Sequence, residues 1–498
     1  MQQSAETHRA PRAAKDVPRA VVWFRNDLRV SDHAALAAAA ARDAEILPLY
    51  ILEDEAAGDL ALGAASRWWL HHSLQALAGR LAALGAPLHL ACGPAEEIVP
   101  RLARAVEADA VYWQRRYEPW GIAVDTQIKA ALKADGVAAE SFPGGLLREP
   151  WEVKTKQGGP YGVFTPFWKA EVALGEPDEP LPAPKALKSA PRDALTESAR
   201  LKDWGLTPTA PDWAGGLRAA WTPGEQGARA RLKAFLDGPV ARYQEARNRP
   251  AEGGVSRLSP HLHFGEISPR QVWRWARDAG RADAAAEQGV WAFLREIGWR
   301  DFNHNLLFHN PELPRENYQS KFNAFPWRED EAGYRAWTRG LTGYPLIDAG
   351  MRELWETGYM HNRVRMAAAS FLVKDLLVPW RRGEAWFRDT LVDADLANNA
   401  ANWQWTAGSG ADAAPYFRIF NPVTQGQKFD PDGAYVRRWV PELKALPTKL
   451  IHAPWTADAR TLAAAKVELG RTYPRPIVDH GRARQIALDA YQEIKGAA

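Results

Sequence analysis

Cysteine is almost absent from this chain of 498 residues, which contains only Cys92. A single cysteine excludes a disulfide framework and a cysteine-based zinc site, and it suits a reducing compartment. No residue pattern indicates a metal centre, and no apolar run is long enough to span a bilayer. Residues 1–19 are polar and do not resemble a signal peptide. We therefore expect a cytoplasmic protein that does not associate with membranes and begins with a flexible tail.

Charge of either sign is not in excess, because 63 Lys and Arg oppose 60 Asp and Glu. The net charge of +3 is too small to indicate nucleic-acid binding by itself, although it leaves room for a local basic patch. Tryptophan is abundant instead, with 23 residues. These indoles could pack helices, stack on planar ligands or relay electrons, and composition alone does not choose among these roles.

Residues 20–150 alternate apolar strand patterns with helical ones, which predicts a doubly wound parallel sheet. Four strands are expected within Ala20–Leu28, Glu45–Leu52, Pro87–Gly93 and Asp109–Pro119. Ser31 and Asp32 are placed to cap the helix that follows the first strand. No G-x-G-x-x-G follows that strand, so the standard dinucleotide fingerprint is absent.

The rest of the chain predicts a second domain of different class. Residues 151–223 form an interdomain connector rich in proline, alanine and charge. Residues 224–498 carry helical signals almost throughout and predict an all-α domain. Ser259 and Ser268 each precede a proline, which predicts a helix cap at each serine.

The stretch from Asp393 to Trp405, DADLANNAANWQW, predicts a helix with an unusual face. It lacks glycine and proline, and Asp395, Asn399 and Trp403 follow one another at four-residue steps. An acid, a carboxamide and an indole on one face are atypical of a hydrophobic core. This face is therefore a candidate site wall.

Ser256 and Ser259 flank Arg257 where a loop enters a predicted helix. Hydroxyls, free backbone N–H groups and the positive helix end suit a phosphate there. Plain helix capping is the alternative.

Two further clusters have a functional and a structural interpretation. Asn362 and Met366 share a helix face beside Arg365 and could line a pocket. Alternatively, Met366 could be core while Arg363 and Arg365 form a solvated or salt-bridged face. Glu296 and Trp299 lie three residues apart, and burial among aromatics would disfavour the ionised carboxyl. Alternatively, Glu296 reaches solvent or pairs with an arginine.

Taken together, the motifs resemble those of the photolyase/cryptochrome family. The stretches that occur in the order typical of that family, between about residues 21 and 455, are FRNDLRVSDH, SRLSPHLHFGEISPRQ, GYPLIDAGMREL, GYMHNRVRM, SFLVKDLL, DADLANN, WQW and DAAPYFRIFNP. The stretch SPHLHFGEIS is similar to the corresponding sequence of the class III cyclobutane-dimer photolyases, a bacterial branch related to plant cryptochromes.

The resemblance implies light-driven DNA repair. In that family, photo-excited FADH⁻ passes an electron to a cyclobutane pyrimidine dimer flipped out of DNA, the dimer splits, and the electron returns. The resemblance implies an antenna-binding α/β domain at residues 20–150 and a helical FAD- and DNA-binding domain at residues 224–498. The expected partner is dimer-containing DNA, and no protein partner is indicated.

Positions matched to the family imply these cofactor contacts. The residues expected at the FAD diphosphate are Tyr243, Ser256, Arg257, Leu258 and Ser259. Arg365 and Asp393 would form a buried pair beside the flavin, and Asp395 would lie near the flavin or its ribityl chain. Asn399 would face flavin N5, where a carboxamide suits the reduced states.

Other matched positions imply electron transfer and lesion binding. The expected relay to photo-excited oxidised flavin consists of Trp403, Trp380 and Trp327. Glu296 would hydrogen-bond the dimer as negative charge develops on it. The other residues expected at the lesion or the DNA phosphates are Trp299 and Trp405 as stacking walls, Asn362 and Met366 in the pocket, and Arg247, Arg363 and Arg418 on the phosphates.

Three positions favour dimer repair over the other activities of the family. Trp299 is retained where plant cryptochromes tend to lose an aromatic wall, and Asn399 is an amide where they typically carry an acid. Met366 stands where six-four photolyases typically place a histidine. The alternative is a cryptochrome-type blue-light signalling flavoprotein.

An antenna pigment is also implied, with 5,10-methenyltetrahydrofolate favoured over a deazaflavin or none. Trp120 and Gly121 stand where folate-binding relatives carry Asn and Glu, which argues against that binding mode. Glu149 could instead bind the pterin through two parallel hydrogen bonds, or be a surface-loop acid.

Overall fold

A computed structural model describes residues 17–195, 198–412 and 417–496. The predicted tail lies outside the described residues as far as residue 16, as do residues 413–416 of the DAAPYFRIFNP stretch. The chain forms two compact units. The first comprises residues up to Ala61, Leu74–Gly145 and Pro180–Trp204; the second comprises Leu62–Ser73, Leu146–Glu179 and the chain from Gly205 onward. The predicted connector, 151–223, is therefore divided between the units.

The first unit is built on a parallel sheet, as predicted. The strands are β1 (Arg19–Phe24), β2 (Glu45–Leu52), β3 (His89–Cys92), β4 (Ala110–Gln114), β5 (Ala138–Phe142) and the short β6 (Lys188–Ser189). Their order is β3-β2-β1-β4-β5, and β6 pairs with β2. The sequence analysis missed β5, because the alanines and glutamate of AAESF have low strand propensity. The helices in this part of the sequence are α1 (Ala34–Ala41), α2 (Ala64–Leu84), α3 (Ala95–Ala105) and α4 (Pro119–Ala134).

The second unit is helical. Its helices are α5 (Phe164–Ala173), α6 (Gly215–Ala220), α7 (Glu225–Leu236), α8 (Tyr243–Ala246), α9 (Ser259–His263), α10 (Pro269–Ala282), α11 (Glu287–His309), α12 (Glu331–Thr338), α13 (Pro345–Thr357), α14 (Asn362–Ser370), α15 (Trp380–Thr390), α16 (Leu396–Ala407), α17 (Pro422–Phe429), α18 (Ala434–Trp439), α19 (Ala459–Ala464) and α20 (His480–Gly496). A hydrophobic core of this unit lies around α13–α16 and includes side chains of α12 and α18. Helices α5 and α6 fall within the predicted connector.

Two of the three predicted helix caps are wrong. His33, not Ser31 or Asp32, precedes α1, and its Nδ1 accepts the N–H of Leu36 at 3.1 Å. Helix α9 begins at Ser259 itself, whose hydroxyl donates to a distant carboxylate rather than to the helix end. Ser268 forms a complete capping box before α10, as predicted. Among the described residues, no helix is both long and apolar enough to cross a membrane.

Candidate active site

The unusual stretch Asp393–Trp405 forms most of helix α16, as its pattern predicts. Asp395 caps the helix by accepting the N–H of Asn398 at 2.9 Å, and Gly408 ends it with a left-handed φ of 96°. Asn399 and Trp403 are buried on the same face. The helix thus directs an amide and an indole into the interior.

One cavity of about 580 Å³ in the second unit collects most of the predicted site residues. The predicted residues that line it are Arg247, Ser259, Glu296, Trp299, Asn362, Arg363, Arg365, Met366, Asp393, Asn399, Trp403, Trp405 and Arg418. The predicted residues that do not line it are Tyr243, Ser256, Arg257, Leu258, Asp395, Glu149, Trp380 and Trp327. The flavin-facing and lesion-facing sets, assigned separately in the sequence, therefore share one space.

Asn399 is held in one orientation by Glu384. Its Nδ2 donates to Glu384 Oε1 at 2.8 Å and to the Glu384 carbonyl at 3.1 Å. Both partners only accept, so the amide nitrogen must face them. The Oδ1 atom is therefore the side of Asn399 that can accept a hydrogen bond in the cavity.

Arg365 and Asp393 form the expected ion pair, with Arg365 Nη2 at 2.9 Å from Asp393 Oδ2. Burial alone would lower the pKa of Arg365, but the Asp393 carboxylate outweighs it and holds that pKa above its ordinary value. Ser259 Oγ donates to the same Oδ2 at 2.5 Å. Asp393 Oδ1 is buried without a hydrogen-bond partner among the described residues. A free buried acceptor fits a bound group that presents N–H, as a flavin ring does.

Asp395 lies at the start of α16, close to two histidines. Its Oδ2 lies 3.3 Å from His304 Nε2 and 3.8 Å from His263 Nδ1, and Oδ1 caps α16. Burial would raise the pKa of Asp395, but the neighbouring His304, His263 and Arg300 hold it well below the ordinary value. Because Asp395 does not line the cavity, its contact with a flavin stays a prediction.

Glu296 pairs with Arg247, which is the alternative that the sequence left open. The Arg247 Nη1 to Glu296 Oε1 distance is 2.6 Å, and the two side chains are 27% and 28% exposed. Beside this pair, Arg363 Nη2 donates to Asn248 Oδ1 at 2.5 Å. Burial and the nearby charge of Arg247 lower the pKa of Arg363. The lining of the cavity therefore brings the Arg363 guanidinium beside the Arg247–Glu296 ion pair.

Trp299 and Trp405, the two indoles expected to stack on the lesion, are each held by contacts with other side chains or with the backbone. The Trp299 ring stacks on Phe164 at 3.7 Å between centroids and 11° between planes. Trp405 Nε1 donates to the Asp412 carbonyl at 3.1 Å, and Arg418 Cζ lies 5.9 Å from the Trp405 ring. Both rings are therefore fixed surfaces on which a planar base can stack.

The three relay tryptophans belong to one apolar region. Trp403 and Trp380 are buried in the same core, and Trp327 packs against it. Trp380 Nε1 donates to Asn317 Oδ1 at 2.8 Å. The ring centroid of Trp337, a residue that the sequence did not indicate, lies 6.1 Å from that of Trp403. The route through Trp380 and Trp327 stays a prediction.

The residues expected at the FAD diphosphate surround the loop before α9. Tyr243 is buried against Phe235, with ring centroids 5.5 Å apart. Leu258 is buried, while Ser256 and Arg257 line a second cavity. Only Ser259 reaches the first cavity.

Glu149 is only 6% exposed, which contradicts its interpretation as a surface acid. Its N–H donates to Glu152 Oε2 at 2.8 Å. The two preceding N–H groups, of Leu147 and Arg148, donate to Asp301 Oδ2 at 2.7 and 3.1 Å. The segment that carries Glu149 is therefore firmly held.

Two family models match the chain. The one described as DNA photolyase matches residues 20–185, and the one described as the FAD binding domain of DNA photolyase matches residues 293–493. The deoxyribodipyrimidine photo-lyase of Agrobacterium fabrum is 54% identical over 475 residues, 95% of this chain and 98% of that protein. The chain belongs to the photolyase/cryptochrome family. Its helical unit thus carries the FAD-binding domain of the family.

A solved structure and a plant relative place the chain within the family. A bacterial class III photolyase from Agrobacterium tumefaciens has a TM-score of 0.93 and 52% identity, with 98% of this chain and 100% of that chain covered. Cryptochrome-1 of Arabidopsis thaliana is 39% identical over 96% of this chain and 71% of its own length. Photolyases and cryptochromes share the fold, so the choice between repair and signalling depends on the site.

Sequence reasoning missed several residues that shape this site. Glu384 lies 15 residues before Asn399 in an ordinary helical stretch, and Phe164 lies in a segment interpreted as connector. The residues that line the cavity and were missed are Arg300, Asn303, Tyr359, Met360, Ala369, Phe387, Leu391, Ala394, Asn398, Asn402 and Thr406. The three asparagines of DADLANNAAN were a visible signal for Asn398 and Asn402, whereas the others carried none.

Proposed function

We propose that this chain is a deoxyribodipyrimidine photo-lyase, which uses FAD and light to split cyclobutane pyrimidine dimers in DNA. The observation that carries the proposal is the single cavity shared by the two sets of residues. Asn399 and the Arg365–Asp393 pair form one part of its wall, and Glu296 and Trp299 form another. An electron donor bound at the first part would lie close to a lesion bound at the second.

Bound FAD, when reduced, supplies an electron under light. The protein's part is to hold and orient it. Asp393 Oδ1 can accept an N–H of the ring, and Ser259 and Arg365 fix that carboxylate. Asn399 presents Oδ1, so it can accept the N–H that N5 carries in reduced flavin.

The lesion side binds a cyclobutane dimer, two linked bases of one strand, after it has left the base stack. A damaged pair leaves the duplex at lower cost than a sound one. Trp299 and Trp405 offer stacking surfaces, worth roughly 1–3 kcal/mol per base. Asn362 and Met366 line the same pocket. Arg247, Arg363 and Arg418 can position the DNA through its phosphates, without reading its sequence.

Glu296 is proposed to stabilise negative charge on the dimer. As a carboxylate paired with Arg247, it can accept the ring N–H groups beside the dimer carbonyls. To donate to a carbonyl it must first take up a proton. Only the protonated carboxyl can donate to a carbonyl and stabilise negative charge there, so this role requires Glu296 to give up its ion pair with Arg247 and to take up a proton.

The remaining roles follow the same proposal. Trp403, Trp380 and Trp327 would carry electrons inward to reduce oxidised FAD, and Glu149 would hold a methenyltetrahydrofolate antenna. We also propose a cytoplasmic location, because the enzyme must reach its DNA. Blue-light signalling remains the second candidate, since plant cryptochromes share the fold and 39% identity.

A repair assay distinguishes the two candidates. FAD-loaded, reduced protein is illuminated with one oligonucleotide that contains a cyclobutane thymine dimer and another that contains a six-four product. We expect the cyclobutane dimer to be split into two thymines under light and not in darkness, with the six-four product unchanged. Bound flavin with no loss of dimer in light would favour signalling instead.

A further inference from the structure

Helix α20 packs against the helical unit through a face of small side chains. Among its described residues, the buried ones are Ala483, Ala487, Ala490 and Ile494. The cluster that this face covers contains Phe322, Phe325 and Leu377. An alanine side chain removes little apolar surface from water, so hydrophobic burial contributes less to the docking of α20 than a leucine-lined face would.

The first residue of α20 is paired with a buried carboxylate. His480 Nδ1 lies 2.5 Å from Asp375 Oδ1. Asp375 ends the π-helical turn Phe371–Asp375, which directly follows α14. Its side chain is fully buried, and that of His480 is 11% exposed. The pair therefore ties the start of α20 to the continuation of α14.

Asp375 depends on His480 for its positive charge. Its second oxygen, Oδ2, is buried without a hydrogen-bond partner among the described residues. Burial raises the pKa of Asp375, and the contact with His480 opposes that shift. The adjacent Lys374 does not compensate, because its Nζ donates instead to the carbonyl of Ala407 at 2.8 Å, at the end of α16. Burial also lowers the pKa of Lys374 well below its ordinary value.

The other polar groups around His480 hold the backbone. The Tyr344 hydroxyl donates to the carbonyl of Val478 at 2.8 Å and accepts the N–H of His480 at 3.2 Å. Burial raises the pKa of Tyr344 to about 12, so this phenol stays neutral. Asp479 Oδ1 accepts the N–H of Arg482 at 2.7 Å. The imidazole is thus the group at this contact that belongs to a type that changes charge near neutral pH.

The second half of α20 is held in a different way. The Tyr491 ring stacks on Phe417, with 4.5 Å between centroids and 3° between planes. Lys321 Nζ lies 5.6 Å from the Tyr491 ring. These contacts do not involve a group that changes charge near neutral pH. The two halves of the helix should therefore respond differently to pH.

We propose that the His480–Asp375 pair is a pH-dependent switch that docks the first half of α20. While the imidazole is charged, the ion pair is complete and the helix covers its cluster. When the imidazole loses its charge, Asp375 is left as a buried carboxylate without a cation, which is unfavourable. Release of the helix end lets water reach that carboxylate. Docking is therefore complete in acid and is lost as pH rises.

The release would change the surroundings of Trp327. This indole is partly buried and packs against the cluster that α20 covers. Undocking of the first half of α20 therefore makes Trp327 more accessible to solvent and to dissolved reductants. Under the proposed function, on which this one consequence rests, Trp327 ends the electron relay, and photoreduction by an external reductant becomes faster in alkaline solution.

Hydrogen–deuterium exchange of the full-length protein tests the switch at about pH 6 and about pH 9, with exchange times corrected for the intrinsic effect of pH. We expect the amides of residues 480–487 to exchange about tenfold faster at the higher pH, and those of residues 488–496 to be unchanged. Hydroxyl-radical footprinting of the same samples should show more oxidation of Trp327 at the higher pH.

Variants of the pair separate charge from packing. His480→Lys keeps a positive charge at both pH values and should stay docked at both, whereas His480→Gln should exchange fast at both. Asp375→Asn removes the buried charge and should stay docked at both. The control Asp489→Asn, on the exposed side of α20, should follow wild type. Circular dichroism verifies the fold, and the two His480 variants decide if Asp375→Asn does not fold.

Two results would overturn the proposal. One is equal protection of residues 480–487 at both pH values in wild type, and the other is the same pH response in His480→Lys as in wild type. Neither measurement needs flavin or DNA. A protein that fails to repair dimers can therefore still show the switch, and one that repairs them can lack it.

Discussion

Asn399 donates both of its amide hydrogen bonds to Glu384, to the carboxylate at 2.8 Å and to the backbone carbonyl at 3.1 Å. Glu384 also lies 3.4 Å from Arg388. A residue outside the cavity thus decides which atom of Asn399 faces into it. The proposed hydrogen bond to reduced flavin depends on that orientation.

Replacement of Glu384 should therefore destabilise the reduced state of the flavin. We expect Glu384→Ala to free the Asn399 amide and to speed the reoxidation of bound reduced FAD in air several-fold. Stopped-flow absorption measures this rate. Glu384→Gln keeps an acceptor and should retain most of the effect, and Arg388→Gln, which spares the contact with Asn399, should resemble wild type. Identical reoxidation rates in Glu384→Ala and wild type would show that Glu384 does not orient Asn399.

Glu296 should affect the yield of repair rather than cofactor binding. We expect Glu296→Ala to keep FAD and to bind dimer-containing DNA, while repairing fewer dimers per absorbed photon, because developing charge loses its stabilisation. Actinometry combined with chromatography of the products measures the quantum yield. Arg247→Gln removes the ion pair but keeps the carboxyl. If the yield of Glu296→Ala equals that of wild type, Glu296 has no part in the reaction.

Trp299 should contribute to recognition of the lesion. We expect Trp299→Ala to weaken binding of dimer-containing DNA by roughly 1–3 kcal/mol, with undamaged DNA bound as before, because only a flipped base stacks on this ring. Fluorescence anisotropy with matched oligonucleotides measures both affinities. Phe164→Leu, which leaves Trp299 without its stacked support, should have a smaller effect in the same direction. Equal losses for damaged and undamaged DNA would contradict a lesion-specific wall.

Trp403 should be required for photoreduction and dispensable for repair. We expect Trp403→Phe to abolish photoreduction of oxidised FAD, while enzyme reduced chemically still repairs dimers. Absorption spectroscopy under blue light with an external reductant monitors this step. Trp380→Phe should reduce photoreduction strongly and Trp337→Phe only slightly. If photoreduction is lost in Trp337→Phe and retained in Trp380→Phe, electrons reach Trp403 through Trp337 instead of Trp380.

The buried acids Glu171 and Asp301 should make stability depend on pH. Burial raises the pKa of Asp301 to about 6, and burial together with contact with Asp301 raises that of Glu171 well above its ordinary value. Because both folded-state values exceed the unfolded ones, the pair stabilises the protein fully below pH about 4. This stability is lost as pH rises through about 6 and beyond.

Glu171→Gln tests this pH dependence, because the amide can donate to Asp301 without an added proton. We expect the fall in melting temperature between acidic and alkaline buffers to become smaller in the variant than in wild type. Differential scanning calorimetry at several pH values measures it. Parallel curves for the two proteins would show that the acids do not share a proton.

The sequence predicted the architecture well because its signals are local. Strand patterns such as EILPLYIL and the face of α16 follow from spacing within a few residues. The fifth strand was missed because AAESF is paired by its position in the sheet, not by its own propensity. Helix α5 was missed because the proline-rich composition around it indicated a connector.

The residues of the candidate site could be predicted from the sequence, but the contacts between them could not. Glu296 was interpreted as either protonated or paired, and only folding brings Arg247, 49 residues away, to 2.6 Å from it. Glu384 carried no motif of its own, since its role exists only where α15 meets α16. Asp395 was expected near the flavin, which stays a prediction; its contacts with the N–H of Asn398 and with His304 were not indicated by its motif.

The most direct test of the central claim is the lifetime of light-excited reduced FAD in this protein, measured by ultrafast fluorescence. We predict a shorter lifetime with dimer-containing DNA than with undamaged DNA, because an electron leaves for the lesion bound between Trp299 and Trp405. Trp299→Ala should diminish this shortening. A lifetime that is the same with both DNAs, at concentrations that saturate binding, would contradict the account.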